Sequence, residues 1–544
     1  MESVGAGEGA ATAEGQVRSR RRHLLALSAI GCGTVVIYAL GLTRQYPLLA
    51  GLASPRAGWS KLLGPTPANL FMHVLVYLAV TVLYVLAQRV VSWLPQQGTK
   101  RQHWGLMLII VAVWLGASLV LFGVAPRGES SDVFDYLFRG RMQVELGGNP
   151  LANVPYDFRG APYYYFVSWN RFVDAYGPLW EVASGGVATV TRLWLHATGG
   201  WVSGLPTCPA GPTSCRMLVA YVTGYRLLAV ALAGVVGALV YAVVRRDRPS
   251  DAGAALLAWL WNPLLLVATA VGAHNDMLML VFWLAGFWAL QHRRWLAALL
   301  ALVLAAHVKL TALVLLPVFG LWLVRQIGWK RALGRGFVAG VLGVALSWLL
   351  YYPWGGWSTL PRMLRERSRF VANSPHHVFR QLLLDRDWEA GQIQRLTIYW
   401  PTIAAVVVIL GLSLFMLGFL HRRKGGAPPT PHDAVLWSTA TVVVLAYLLV
   451  GSFWFQPWYI LWVLAPAVLL PRSPFTRGVL PWLCLGALWS NIAADYLPLL
   501  PGLTLTRTGQ VALVVAITWL PALAAAAYTL WAQGRPGTNR RRRD

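Results

Sequence analysis

The sequence predicts an all-α, polytopic integral membrane protein with about fourteen transmembrane helices and two long outer loops carrying juxtamembrane helices. Three observations carry this. Only 12% of the 544 residues are charged, against about 25% in a soluble domain that must cover its surface. The mean hydropathy is +0.54, and apolar runs recur that are roughly 18 to 25 residues long, enough to cross ~30 Å of hydrocarbon. Basic clusters punctuate those runs, as cytoplasmic loops do.

In chain order, "RSRRRH" at 18–23 precedes a first span at 24–43. No small-residue cleavage site follows, so it reads as retained rather than as a signal peptide. Spans then fall near 69–94, 104–125, 217–244, 254–272, 277–291, 295–308, 310–325, 332–352, 396–420, 434–452, 457–471, 477–495 and 510–533. The basic clusters between them place residues 1–23 and 534–544 in the cytoplasm as basic tails, flanking one transmembrane domain over 24–533. The outer loops are 126–216 and 353–395. Residues 178–198 read as helical but carry Glu181, Arg192 and a Gly-Gly pair. A full crossing there would force "RRDR" at 245–248 outside, so the segment is expected to be juxtamembrane or re-entrant, beside a cavity. Cys208 and Cys215, in "CPAGPTSC", are expected to close a small disulfide loop on an oxidising face; Cys32 and Cys484 lie in apolar spans as packing residues.

The net charge of +26 fits cytoplasmic loops and lipid phosphates, with no nucleic acid as partner. Arginine outnumbers lysine 41 to 5 and no Asn-x-Ser/Thr sequon occurs, which suits a bacterial plasma membrane. There is no Walker A loop, no His/Cys metal spacing and no nucleotide-binding glycine pattern, so an ATP-driven pump is not indicated.

The chemistry concentrates in a few places. In "SSDVFDYLFRGRMQVELGGNP", Asp132 and Asp135 stand one helical turn apart and share a face. They read either as a general base for a hydroxyl or as an N-terminal cap. "AHNDM" places His274 and Asp276 at an outer turn, either in a phosphate site or as a polar turn satisfying its own backbone. Lys309 sits in apolar sequence, where a lysine normally has a partner or a function. It either binds phosphate or pairs with a carboxylate such as Asp276. Arg365, Arg367 and Arg369 in "LPRMLRERSRF" are candidates to grip the same phosphate. Tyr176, which opens "YGPLW", and Glu181, which follows it, are candidates to line the cavity and meet an acceptor, as are Gln456 and Trp458 in "SFWFQPWYILW". A base, a cationic site and a cavity together suggest a lipid phosphate as leaving group and a hydroxyl as nucleophile.

The order of "SSDVFDYLFRGRMQVELGGNP", "YGPLW", "WNPLLLVATAVGAHNDMLML", "HVKLTALVLLP" and "FQPWYILW" resembles the GT-C glycosyltransferases of actinobacterial type. The nearest group is the polyprenol-phosphate-mannose-dependent α-1,6-mannosyltransferases of lipomannan and lipoarabinomannan assembly. The resemblance implies an inverting enzyme taking a sugar, mannose in that group, from a polyprenyl-phosphate donor to a hydroxyl of an envelope glycolipid or glycan at the outer face. It implies Asp132 as catalytic base, with Asp135 second. Some superfamily members use a divalent metal; Asp132 and Asp135 make a thin ligand set, and no metal is assigned. "VFDY" and the "PTCPAGPTSC" insertion depart from the family pattern. The competing expectations are a lipid-linked glycan ligase or polymerase and a lipid-linked sugar flippase; the latter would show internal repeats, and none is evident.

Overall fold

The structure is a computed structural model that describes residues 4–94, 100–201, 212–367, 370–418 and 432–534. Among them helices dominate, and the β-pairing is confined to two isolated bridges, Pro47 with Val124 and Ala372 with Trp454. Nine described helices are long and apolar enough to cross a membrane, from Ser19–Thr43 to Arg507–Gln533. They turn large apolar side chains outward: Leu333 and Phe337, on the helix Trp329–Tyr351, are 68% and 71% exposed. A soluble protein does not leave such faces uncovered; here they meet lipid.

Each of the fourteen expected spans has a helical counterpart, but not all are membrane-length. Residues 254–272 form two helices, Ala252–Leu260 and Pro263–Ala270, bent by 51°. "WNP" causes the break. Pro263 has no amide hydrogen, and the Asn262 side chain accepts from the amides of Leu264 (3.0 Å) and Leu265 (3.3 Å), capping a fresh helix. Its amide nitrogen donates to Tyr84 Oη and Cys484 Sγ, both at 3.4 Å, so Cys484 packs as expected, whereas Cys32 is exposed. The helices Asp276–Gln291 (16 residues) and Trp295–Val308 (14 residues) span about 24 and 21 Å at ~1.5 Å per residue, short of the hydrocarbon thickness. Protein surrounds much of both, which is where short or broken helices are tolerated at depth.

The helix Pro178–Ala197 packs on Asp132–Val144 and on the long helix Pro212–Asp247. Its other side exposes Val190, Leu193 and Trp194, an apolar stripe suited to a bilayer surface. Gly177 starts it, and its amide donates to the Val308 carbonyl at 3.0 Å. A Cβ at Gly177 would stand 2.1 Å from the His307 carbonyl oxygen, so only glycine allows this approach, which sets Tyr176 beside Lys309. Across the cavity, the Ala372 amide donates to the Phe453 carbonyl (3.0 Å) and the Phe455 amide to the Ala372 carbonyl (2.9 Å). That clip holds the 353–395 loop against the segment carrying Gln456 and Trp458.

Candidate active site

These elements enclose a cavity of about 290 Å³. Seven of the residues singled out in the sequence line it: Asp132, Asp135, Tyr176, Lys309, Arg367, Gln456 and Trp458. Carboxylates enter from the helix Asp132–Val144 and, with Asp174, from the loop before Gly177; cations enter from the same helix with Arg139, from the end of Trp295–Val308 and from Leu360–Arg367. The rim is aromatic: the Trp169 ring centroid lies 5.4 Å from Phe370 and 5.3 Å from Trp454.

The two carboxylates differ. Asp135 is 4% exposed; its Oδ2 accepts from the Ser168 amide (3.2 Å) and Oδ1 from the Trp169 amide (3.0 Å). Both oxygens are therefore committed to the loop that supplies the aromatic rim. Burial pushes its carboxyl up to about 7, against the pull of Arg139. Asp132 is less enclosed, its side chain 14% exposed. Its amide donates to Ser130 Oγ at 3.1 Å, leaving the carboxylate to face the cavity on one side and His274 on the other. The amides that Asp135 accepts from belong to a distant loop and not to its own helix, so simple capping does not account for the pair.

Lys309 makes the carboxylate pair that its sequence context allowed. Nζ donates to Asp276 Oδ1 at 2.8 Å, and Trp462 Nε1 donates to the same oxygen at 2.7 Å. The ammonium also lies 4.3 Å from the Tyr459 ring centroid, 4.9 Å from Trp462 and 5.5 Å from Tyr176. Such an aromatic cage offsets part of the cost of burying a charge. Yet Lys309 still lines the cavity, with two further hydrogens on Nζ to offer.

Other expectations are corrected. Asp276 and His274 do not line the cavity; they stand behind Lys309 and Asp132. His274 Nε2 lies 3.2 Å from both Glu129 oxygens, and Trp458 stacks on the imidazole with centroids 3.6 Å apart. Glu181 is fully buried away from the cavity, its Oε2 accepting from Gln143 Nε2 at 2.6 Å. Arg365 is not on the cavity wall. Arg369 and Cys208 lie outside the described residues; Cys215 is disulfide-bonded. Sequence reading passed over Glu129, Arg139, Asp174 and Tyr459. Arg139 Nη2 donates to the carbonyls of Trp169 (3.1 Å) and Phe172 (2.9 Å), with Nε 3.7 Å from Asp174, so it shapes the loop under the rim. The "ESSD" spacing was the only local sign of Glu129.

Among the described residues no group of three or more His, Cys, Asp and Glu could hold a metal ion. With both Asp135 oxygens taken by amides, Asp132 alone is a poor donor set for a divalent ion, which prefers several oxygens.

The cavity of this multi-pass helical membrane protein gathers carboxylates (Asp132, Asp135 and Asp174) and cations (Arg139, Lys309 and Arg367), a lining suited to the chemistry of membrane glycosyltransferases. Similarity to known proteins gives the family. The model of the alpha-(1->6)-mannopyranosyltransferase N-terminal domain matches residues 29–325, more than half of the chain, and that of glycosyltransferase family 87 matches residues 205–450. Alpha-(1->6)-mannopyranosyltransferase A of Mycobacterium tuberculosis (strain ATCC 25618 / H37Rv) is 26% identical over 413 residues, covering 68% of this chain and 72% of that protein. The chain belongs to the alpha-(1->6)-mannopyranosyltransferase family of GT-C type, and it is a glycosyltransferase.

Proposed function

We propose that this enzyme moves a mannosyl residue, with inversion, from a polyprenyl-phosphate donor to a hydroxyl of an envelope glycolipid or glycan. It does so at the outer face of a bacterial plasma membrane, with both termini cytoplasmic. The observation that carries the reading is the lining of the cavity, which brings Asp132 together with Lys309 and Arg367. Asp132 removes the acceptor proton as the acceptor oxygen bonds to the anomeric carbon. The sugar–phosphate bond breaks on the opposite face, and its electron pair leaves with the lipid phosphate. Lys309 and Arg367 meet the charge that develops there, where fixed donors stabilise a transition state more than the ground state. Asp135 holds the Trp169 loop. Tyr176, Gln456 and Trp458 contact the sugar and acceptor.

The apolar uncovered helices supply a lipid-facing entry for the polyprenyl chain, and the basic short loops support the orientation. The test is transfer by the purified protein from radiolabelled polyprenyl-phosphate mannose to a membrane glycan extract. Labelled glycan whose new linkage has the anomeric configuration opposite to the donor's is expected. Label that stays on the lipid, or a retained configuration, refutes the proposal.

A further inference from the structure

Behind the cavity wall three groups stand in line. Glu129 is 6% exposed and His274 0%, and although 145 residues separate them, His274 Nε2 sits 3.2 Å from both Glu129 oxygens. An ionised carboxylate only accepts, so Nε2 carries the hydrogen and donates it. Nδ1 is left buried, with no hydrogen-bond partner among the described residues, and it lies 3.8 Å from Asp132 Oδ2. Buried ring nitrogens are rarely left in that state.

The surroundings hold this line in place. Arg226 is fully buried, and its nitrogens donate to the carbonyls of Phe122 (2.6 Å), Val124 (2.7 Å) and Val271 (3.1 Å). One guanidinium thus braces the segment before Glu129 against the turn before His274. At Gly272 a Cβ would stand 2.1 Å from Glu129 Oε2. Ala273 has φ +56°, a left-handed conformation that alanine seldom adopts and that marks functional turns. The Trp458 ring, nearly parallel to the imidazole at 17°, covers its face.

We propose that His274 and Glu129 form a proton-receiving dyad behind Asp132. This rests on the reading of Asp132 as the base. Asp132 takes the proton from the acceptor hydroxyl while the glycosidic bond forms and the phosphate departs with its electron pair. The proton then passes from Asp132 Oδ2 to His274 Nδ1, a small approach closing the gap, and Glu129 stabilises the imidazolium that results. Carboxylate and imidazole divide the work as in hydrolase triads, where the buried acid fixes the tautomer and the charge. Asp132 is returned to its carboxylate form while the products are still bound, and once they leave the proton passes back through Asp132 to water in the cavity, which resets the neutral imidazole. His274 and Glu129 touch no substrate and act through Asp132, so they are positioning residues.

The titratable groups facing the imidazole are Glu129, Asp132 and Asp276. Burial pulls the ring's pKa down, but Glu129 first, then Asp132 and Asp276, carry it above its ordinary value. Transfer therefore rises with pH through an acid limb that lies above the ordinary imidazole range, as the ring deprotonates.

The test is the pH profile of transfer by the full-length protein in lipid nanodiscs, from polyprenyl-phosphate mannose, for wild type, Glu129→Gln, His274→Gln and Asp132→Asn. Glu129→Gln is expected to keep the donor KM within about twofold, lower kcat roughly 100-fold and shift the acid limb to lower pH. His274→Gln, whose amide still reaches Glu129 but offers no Nδ1, loses that limb. If Glu129→Gln fails to insert, His274→Gln decides. A lowered kcat with the limb unmoved means a structural role and overturns the dyad, as does wild-type kcat in either variant. Full activity in Asp132→Asn refutes base and dyad together. An inactive Asp132→Asn beside unmoved limbs refutes the dyad alone.

Discussion

Replacing Lys309 by methionine separates the two roles assigned to it. The ammonium is 10% exposed in its side chain and Asp276 is 0%. Removing the lysine leaves Asp276 a buried anion held by Trp462 alone, with Oδ2 lacking a partner among the described residues. Breaking such a pair from one side costs about 3–5 kcal/mol of stability. Losing a donor aimed at a developing phosphate charge costs about 10²–10³ in kcat, or ~2.7–4 kcal/mol. A second variant, Lys309→Met with Asp276→Asn, removes the stranded charge. It is expected to regain most of the stability, since neutral packing replaces buried pairs at little cost, while transfer stays at the level of the single variant. The assays are thermal unfolding in detergent and initial transfer rates at saturating donor. A double variant that recovers transfer along with stability would refute the phosphate role, and Lys309 would then serve only to neutralise Asp276.

Three further outcomes follow from the geometry. Gly177→Ala drives a methyl group into the His307 carbonyl and should cost about 1–3 kcal/mol while displacing Tyr176 from Lys309; thermal unfolding and donor KM would both report it. Asp135 has a carboxyl raised to about 7 by burial, so the folded state binds a proton the unfolded chain has released. Its contribution to stability is present at low pH and is lost as pH rises through 7; Asp135→Asn should therefore unfold with a flatter pH dependence between pH 5 and 7 than wild type. Asn262→Ala removes a cap serving two amides and should lower stability by about 1–2 kcal/mol without changing which sugar is transferred, measurable by melting in detergent.

The helical segments were legible because bilayer thickness imposes long apolar runs, and those runs survive in the sequence whatever packs against them. Their lengths were less so: 254–272 reads as a single apolar span, and only the cap of Asn262 on the next helix shows that Pro263 starts a new one. Asp132, Lys309, Tyr176 and Trp458 were legible as polar or aromatic interruptions at the ends of apolar runs, where a buried site must be built. Their convergence was not, since it depends on Gly177 meeting Val308 and Ala372 meeting Phe453, contacts between distant segments. The sequence placed Glu181 at the cavity because it follows "YGP", but the face of a helix that turns inward is decided by its neighbours, and packing on Asp132–Val144 turns Glu181 towards Gln143. Glu129 went unread for the complementary reason: its partner, His274, is 145 residues away.

The most direct measurement is the transfer rate of Asp132→Asn beside Asp135→Asn, each checked for membrane insertion. The substitution keeps size and hydrogen bonding but removes basicity. Asp132→Asn is expected to lose at least ~10²-fold in kcat with donor KM little changed, while Asp135→Asn, whose amide can still accept from Trp169, keeps measurable transfer. Wild-type rates in a correctly inserted Asp132→Asn would contradict the assignment of the base and, with it, the mechanism proposed for the cavity.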